Sequence, residues 1–204
     1  MAEIEDNPVA KGLSGLESLV SRAGGKAKGM PPVENWHPEF CGDLDMVIKA
    51  DGTWFYMGTP IGRHALVKLF SSVLRKDEDG KTYLVTPVEK IGITVEDAHF
   101  IIVEMNAHQK DGEQVITFRT NMDDVFEAGD ENPLRFVTVE ENEGVKPYVR
   151  VRGRLEGVLA RAVMYELIAH GEEIEVDGRL MFSIRSNGVT FPIMPADELA
   201  RRSA

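Results

Sequence analysis

One pattern in this chain recurs at a constant offset of 95 positions, and it limits the fold more than any other feature of the sequence. The run Trp54-Phe55-Tyr56-Met57-Gly58-Thr59-Pro60-Ile61-Gly62 returns as Val149-Arg150-Val151-Arg152-Gly153-Arg154-Leu155-Glu156-Gly157, with Gly58 matching Gly153 and Gly62 matching Gly157. Beyond the glycines, Ala65 matches Ala160, Leu69 Met164, Phe70 Tyr165 and Val73 Ile168. Each copy reads as a strand, a glycine turn and a helix, over Arg63 to Leu74 in the first and Val158 to Ala169 in the second. Such a repeat predicts two units on one plan, each laying a helix on its own antiparallel sheet.

Turn chemistry extends that plan. Asp51-Gly52, Asp79-Gly80, Asp111-Gly112, Asp177-Gly178 and Asn187-Gly188 are hairpin or turn signals between apolar runs. Strands are expected at Asp45 to Ala50, Thr53 to Met57, Tyr83 to Thr86, Ile91 to Val95, His99 to Met105 and Gln114 to Arg119. Further strands follow at Leu134 to Glu140, Tyr148 to Arg152, Ile174 to Val176, Leu180 to Ile184 and Val189 to Ile193, with a short helix over Asp124 to Ala128. Gly171 suits a helix C-terminus. Leu13, Leu16, Leu19 and Val20 stand at helical spacing ahead of the glycine- and lysine-rich stretch 24–29. The expected organisation is an N-terminal extension and linker (1–30), a first α+β repeat (31–98) and a second (99–204).

Composition narrows the function classes. With 23 Lys and Arg against 34 Asp and Glu, the net charge of −11 opposes nucleic acid and anionic membrane surfaces as partners. No apolar run reaches the ~20 residues of a membrane span, and the acidic N-terminus does not resemble a secretory leader. The single cysteine, Cys41, fits a reducing compartment, so a cytoplasmic location is expected.

Four places could carry a site. The turn Gly58-Thr59-Pro60-Ile61-Gly62-Arg63 precedes a helix, where backbone N–H groups and the dipole favour anions, with Arg63 as counter-charge. Strand alternation puts Tyr148, Arg150, Arg152 and Arg154 on one face, where neighbouring acids or an anionic ligand must balance them. The polar segment Arg119-Thr120-Asn121-Met122-Asp123-Asp124 reads either as turn and cap chemistry or as part of a cleft, and Thr86-Pro87-Val88-Glu89-Lys90 interrupts the first copy similarly. Asp43, Asp45 and Asp51 could offer oxygens to a divalent ion, although Asp is common beside a hairpin. The five histidines lack metal spacing, Cys41 with His64 makes a nucleophile and base only if the fold joins them, and no Gly-x-Ser-x-Gly elbow occurs.

Several of these segments carry a resemblance. Cys41 to Met46, Asp51 to Arg63, Leu84 to Lys90, Phe118 to Asn121 and Asp123-Asp124 resemble an uncharacterised bacterial family, domain of unknown function 1285, over about Trp36 to Pro195. The resemblance implies a domain duplication, a second domain superficially similar to pleckstrin-homology folds, a ligand site where the two domains meet, and a role in signalling. It supplies no catalytic residue.

The combined expectation is a non-enzymatic module that binds a small anionic molecule between its repeats. Arg63, Lys90, Arg119, Arg150 and Arg152 would supply charge, Trp54, Tyr56 and Tyr148 apolar contact, and Thr86, Glu89, Asn121 and Asp124 orientation. No cofactor, metal or catalytic residue is expected. Two alternatives stay open: an enzyme using Asp43, Asp45 or Glu89 in metal-assisted or acid-base chemistry, and a scaffold that captures a protein partner on a sheet edge or the N-terminal helix. The oligomeric state is not set by the sequence.

Overall fold

The computed structural model describes residues 29–139 and 144–202. The N-terminal helix expected around Leu13 to Val20 lies outside the described residues. Two compact units are present. One holds the described residues up to Ala98 together with Gly153–Leu155, and the other holds His99–Arg152 and the chain from Glu156 onward.

In the first unit a 3-10 turn, Val33–Asn35, precedes β1 (Phe40–Ile48), β2 (Trp54–Tyr56), β3 (Thr59–Pro60), α1 (His64–Ser71), β4 (Leu74–Lys76), β5 (Thr82–Val85) and β6 (Lys90–Val95). They form a six-stranded sheet in the order β3-β2-β1-β6-β5-β4. The β1–β6 pair is parallel, with Val47 opposite Thr94, and the other pairs are antiparallel. Helix α1 buries Leu66, Val67 and Phe70, the stripe that its spacing dictates. Phe70 stacks on Trp54, with ring centroids 6.4 Å apart, over a core that includes Met46, Ile48 and Leu74.

The second unit comprises β7 (Phe100–Lys110), β8 (Glu113–Thr120), β9 (Val125–Glu127), β10 (Leu134–Val139), β11 (Gly144–Arg152) and β12 (Leu155–Leu159). It continues with α2 (Arg161–Ile168), β13 (Glu172–Val176), β14 (Arg179–Ser186), β15 (Val189–Pro195) and α3 (Ala196–Arg202). Six strands form a sheet in the order β10-β11-β12-β7-β8-β9, and β13-β14-β15 forms a separate three-stranded sheet. Ser186 joins the two sheets, its buried hydroxyl donating to the Ala128 carbonyl and accepting from the Ile116 N–H.

The protein is therefore mostly β-sheet, with three short helices among the described residues. The α+β expectation overstates the helical part for two identifiable reasons. The helix expected from Val158 begins at Arg161, because Val158 and Leu159 pair with Ile101 and Ile102 as part of β12. The helix expected over Asp124 to Ala128 is instead β9, which extends the sheet beside β8. No helix of the described residues is long and apolar enough to cross a membrane.

The recurrence survives in three dimensions, but its register changes. Strand, glycine turn, strand, helix and three antiparallel strands occur in both units (β2 to β6 and β11 to β15). Gly58 and Gly153 both hold positive φ, +72° and +50°, a region that side chains other than glycine seldom enter. The turns differ by 95 positions (153 minus 58), whereas the helices differ by 97 (161 minus 64). At 95, buried Phe70 would match Tyr165, which is 55% exposed; at 97 it matches Leu167, which is fully buried like itself. Two residues have entered between turn and helix, and β12 is accordingly longer than β3 and pairs along β7. The units also differ at the other side of the plan. Strand β6 returns to pair with β1, but their counterparts β15 and β10 lie side by side with no ladder between them.

Candidate functional site

Most residues singled out from sequence have structural work. Trp54 and Tyr56 are buried in the first core. Gly58 lies in the β2–β3 hairpin and not at the N-terminus of α1, while Arg63 is the exposed residue preceding that helix. Thr86 shapes its loop, its hydroxyl accepting from the N–H groups of Val88 and Glu89; the Glu89 side chain is half-buried beside it. Lys90 bonds Asp77 at 2.7 Å and sits 4.1 Å over the Tyr83 ring.

Asp77 also receives the fork of buried Arg75, whose Nη1 donates to the carbonyls of Val33 and Trp36. Burial pushes the Asp77 carboxyl up, but the hydrogen bonds from Arg75 and Lys90 outweigh it and hold the group below its ordinary value. The Tyr83 hydroxyl donates to Asp79 at 2.6 Å, and this bond, helped by burial, pushes the phenol up to about 12 from 10.0. Because the folded state holds this proton more tightly than the unfolded state, the contribution is complete below pH 10 and disappears as pH rises toward 12. Tyr83→Phe is therefore expected to flatten the alkaline limb of the stability–pH curve. An unchanged limb in urea titrations across that range would exclude the Tyr83–Asp79 bond as its cause.

In the second unit Arg119 bonds Glu104 at 2.6 Å and Asp123 at 3.4 Å, and its pKa is raised chiefly by Glu104. Asn121 accepts from the Ile101 N–H, fixing the turn after β8. Arg152 bonds Asp124 at 2.9 Å and lies 4.8 Å over the Phe100 ring; burial lowers its pKa against the pull of Asp124. Tyr148 is buried beneath the Arg135 guanidinium. Arg150 is exposed on β11. Arg154, within the first unit, bonds Glu78. The arginine row is thus largely balanced by acids, Arg152 by Asp124 and Arg154 by Glu78, with Arg150 exposed to solvent.

Of the carboxylates in the enzymatic alternative, Asp43 and Asp45 share β1 and Glu89 immediately precedes β6. Asp43 and Asp45 are exposed on β1, with Asp43 lying over Gly92, and Asp51 accepts the Thr53 N–H in its hairpin turn. No cluster of three or more His, Cys, Asp or Glu able to hold a metal occurs among the described residues.

A different set of side chains converges in the second unit. Lys146 on β11 and Arg161 and Tyr165 on α2 line an open cleft of about 460 Å³, with Val158, Leu159 and Met164 as apolar walls. Arg161 donates to the Tyr165 hydroxyl at 3.0 Å from Nη2 and 3.2 Å from Nε, so its charge faces a neutral oxygen there. Val145, Pro147 and Met164 also line a neighbouring apolar slot of about 60 Å³, closed by Phe136, Leu167, Phe182 and Ile193 among others. Phe136 of β10 and Ile193 and Met194 of β15 line the slot, where these neighbouring strands form no ladder. Gly171 packs against Phe182 of this slot for a reason that sequence did not reveal: its φ is not positive, and a Cβ there would collide with the Phe182 ring. Sequence reasoning passed over Arg161 and Tyr165 because a polar i, i+4 pair on a helix reads as a solvated face.

Comparisons agree on the lineage. Residues 31–98 match the family model described as the N-terminal domain of a domain of unknown function, DUF1285, and residues 99–193 match the C-terminal domain of the same family. A search among curated proteins finds no match. The crystal structure of a DUF1285 family protein from Silicibacter pomeroyi DSS-3 is 44% identical, with 90% of this chain and 98% of that chain covered at a TM-score of 0.79. A second, from Shewanella baltica OS155, is 27% identical, with 62% and 91% covered and a TM-score of 0.50. With both of its domains matched in order along one chain, the protein belongs to the DUF1285 family.

Proposed function

We propose that the protein is a non-enzymatic module that binds a small organic anion in the cleft of its second unit. One observation carries this reading: two cations and a phenol, Lys146, Arg161 and Tyr165, line one cleft beside an apolar wall. A charged head needs a cation, a body needs apolar surface, and the cleft presents both. Arg150, one of the charges expected from sequence, is no part of this cleft. A cytoplasmic location follows from the lone cysteine, and a relay of ligand presence to a partner protein is the corresponding signalling role. The implied pleckstrin-homology likeness belongs to the same proposal, supported by the C-terminal α3 packed on β14 and β15.

Benzoate and phenyl phosphate are expected to raise the melting temperature saturably, by mass action, and benzyl alcohol at equal concentration to raise it much less. Arg161→Gln is expected to weaken benzoate binding about tenfold or more, roughly the 1.5–3 kcal/mol of a charge-assisted hydrogen bond. As an exposed residue, it should leave the ligand-free melting temperature nearly unchanged. Equal shifts from the alcohol and the anions, or full affinity in Arg161→Gln, would sink the reading.

A further inference from the structure

We infer that the ligand of this cleft is a monomeric amphiphile with one short hydrocarbon chain, its chain in the slot between β10 and β15 and its carboxylate or phosphate head at Lys146 and Arg161. The inference rests on the cleft reading and adds the class of molecule. Three observations carry it.

The slot is apolar throughout: Phe136, Val145, Pro147, Leu167, Phe182 and Ile193 offer carbon to its interior. It adjoins the cleft, since Val145, Pro147 and Met164 line both, so a chain leaving the slot over these residues would reach the two cations. It also stands where the two units differ. In the first unit β1 and β6 join in a parallel ladder, backbone to backbone, whereas β10 and β15 are neighbours without a ladder. The two units follow one plan, and the opening is where the second departs from it.

Size restricts the chain. A water needs about 10–15 Å³ of such space, so about 60 Å³ accepts about four to six groups of methylene size. A bilayer is a poor source for the chain, because a net charge of −11 repels anionic lipid surfaces. A free molecule meets no such barrier from a surface field.

The test is calorimetric titration of the full-length protein with n-alkanoates from butanoate to dodecanoate, each below its micelle concentration. Affinity is expected to tighten about fourfold per methylene for roughly four to six methylenes and then to level. Ile193→Trp, which fills the slot, should reduce octanoate to the affinity of butanoate while leaving benzoate unchanged. Phe182→Leu, which enlarges the slot, should carry the plateau to longer chains, so the proposal stays testable if the tryptophan variant does not fold. An affinity independent of chain length, with benzoate still bound in an Arg161-dependent manner, overturns the chain and leaves the cleft reading standing. Absence of binding by benzoate and all alkanoates overturns both. Binding to phosphatidylglycerol vesicles in place of monomeric octanoate would make a membrane surface the partner and overturn the inference. Octanoate binding at least tenfold tighter in Leu16→Glu/Leu19→Glu would assign the slot to the protein's own N-terminal segment and overturn it too.

Discussion

Trp54→Ala is expected to destabilise the first unit by about 3–5 kcal/mol, the range for deleting a large aromatic side chain from a core that relaxes only in part. Trp54 is 2% exposed and stacks on Phe70, itself fully buried, so the deletion opens a void between β2 and α1. Urea unfolding followed by far-UV circular dichroism measures the loss. The same variant separates two roles for the residue. As a core residue, Trp54 affects stability alone, and the folded fraction should bind benzoate as the unaltered protein does. A variant with full stability and lost binding would return Trp54 to the ligand site expected from sequence.

Arg75→Met is expected to cost about 3 kcal/mol, near the lower end of the range for breaking a buried pair, because Asp77 retains Lys90 and is partly solvated. The damage is more than one ion pair. The guanidinium bonds Val33 O at 2.8 Å, Trp36 O at 2.7 Å and Asp77 Oδ1 at 2.6 Å, tying the 3-10 turn to β4. Methionine fills similar volume but leaves two carbonyls and a carboxylate without these donors, and an unsatisfied buried group costs about 1–3 kcal/mol. Arg75→Lys should recover little, since an ammonium cannot fork onto a carboxylate while reaching both carbonyls. Equal stabilities for Arg75→Met and the unaltered protein in urea titration would refute the tie.

How much of this was legible depends on whether the cause is local. Asp111-Gly112, Asp177-Gly178 and Asn187-Gly188 each put both residues at positive φ in a hairpin turn, so the strands flanking them follow from dipeptides. Gly58 and Gly153 mark turns for the same reason. Strand β4, Leu74–Lys76, was hidden because its first residue, Leu74, continues the apolar run at the end of α1, and Val125–Glu127 looked helical because an Asp before it resembles a cap. The parallel pairs β1–β6 and β12–β7 have no local sign, since each joins strands far apart in sequence. The candidate site suffered most. Single-sequence logic favours cations that stand in rows, and the row on β11 is largely tied to acids, while the cleft takes one lysine from a strand and one arginine from a helix. Only the fold, which sets α2 and β11 on one cleft, brings them together.

The parallel ladder of β1 with β6 also sets a schedule for the growing chain. Residues 40–48 meet their partners only when 90–95 have been made. At synthesis rates of about 5–20 residues per second, the first strand therefore waits on the order of several seconds with its outer backbone bonds unmet. Hairpin closure with β2 takes microseconds and leaves that edge bare. During this interval the nascent chain carries an open strand, and exposed Asp43 and Asp45 give it the charge that discourages pairing with another chain. Asp43 and Asp45 thus keep charge on the half-made sheet until its last strand arrives.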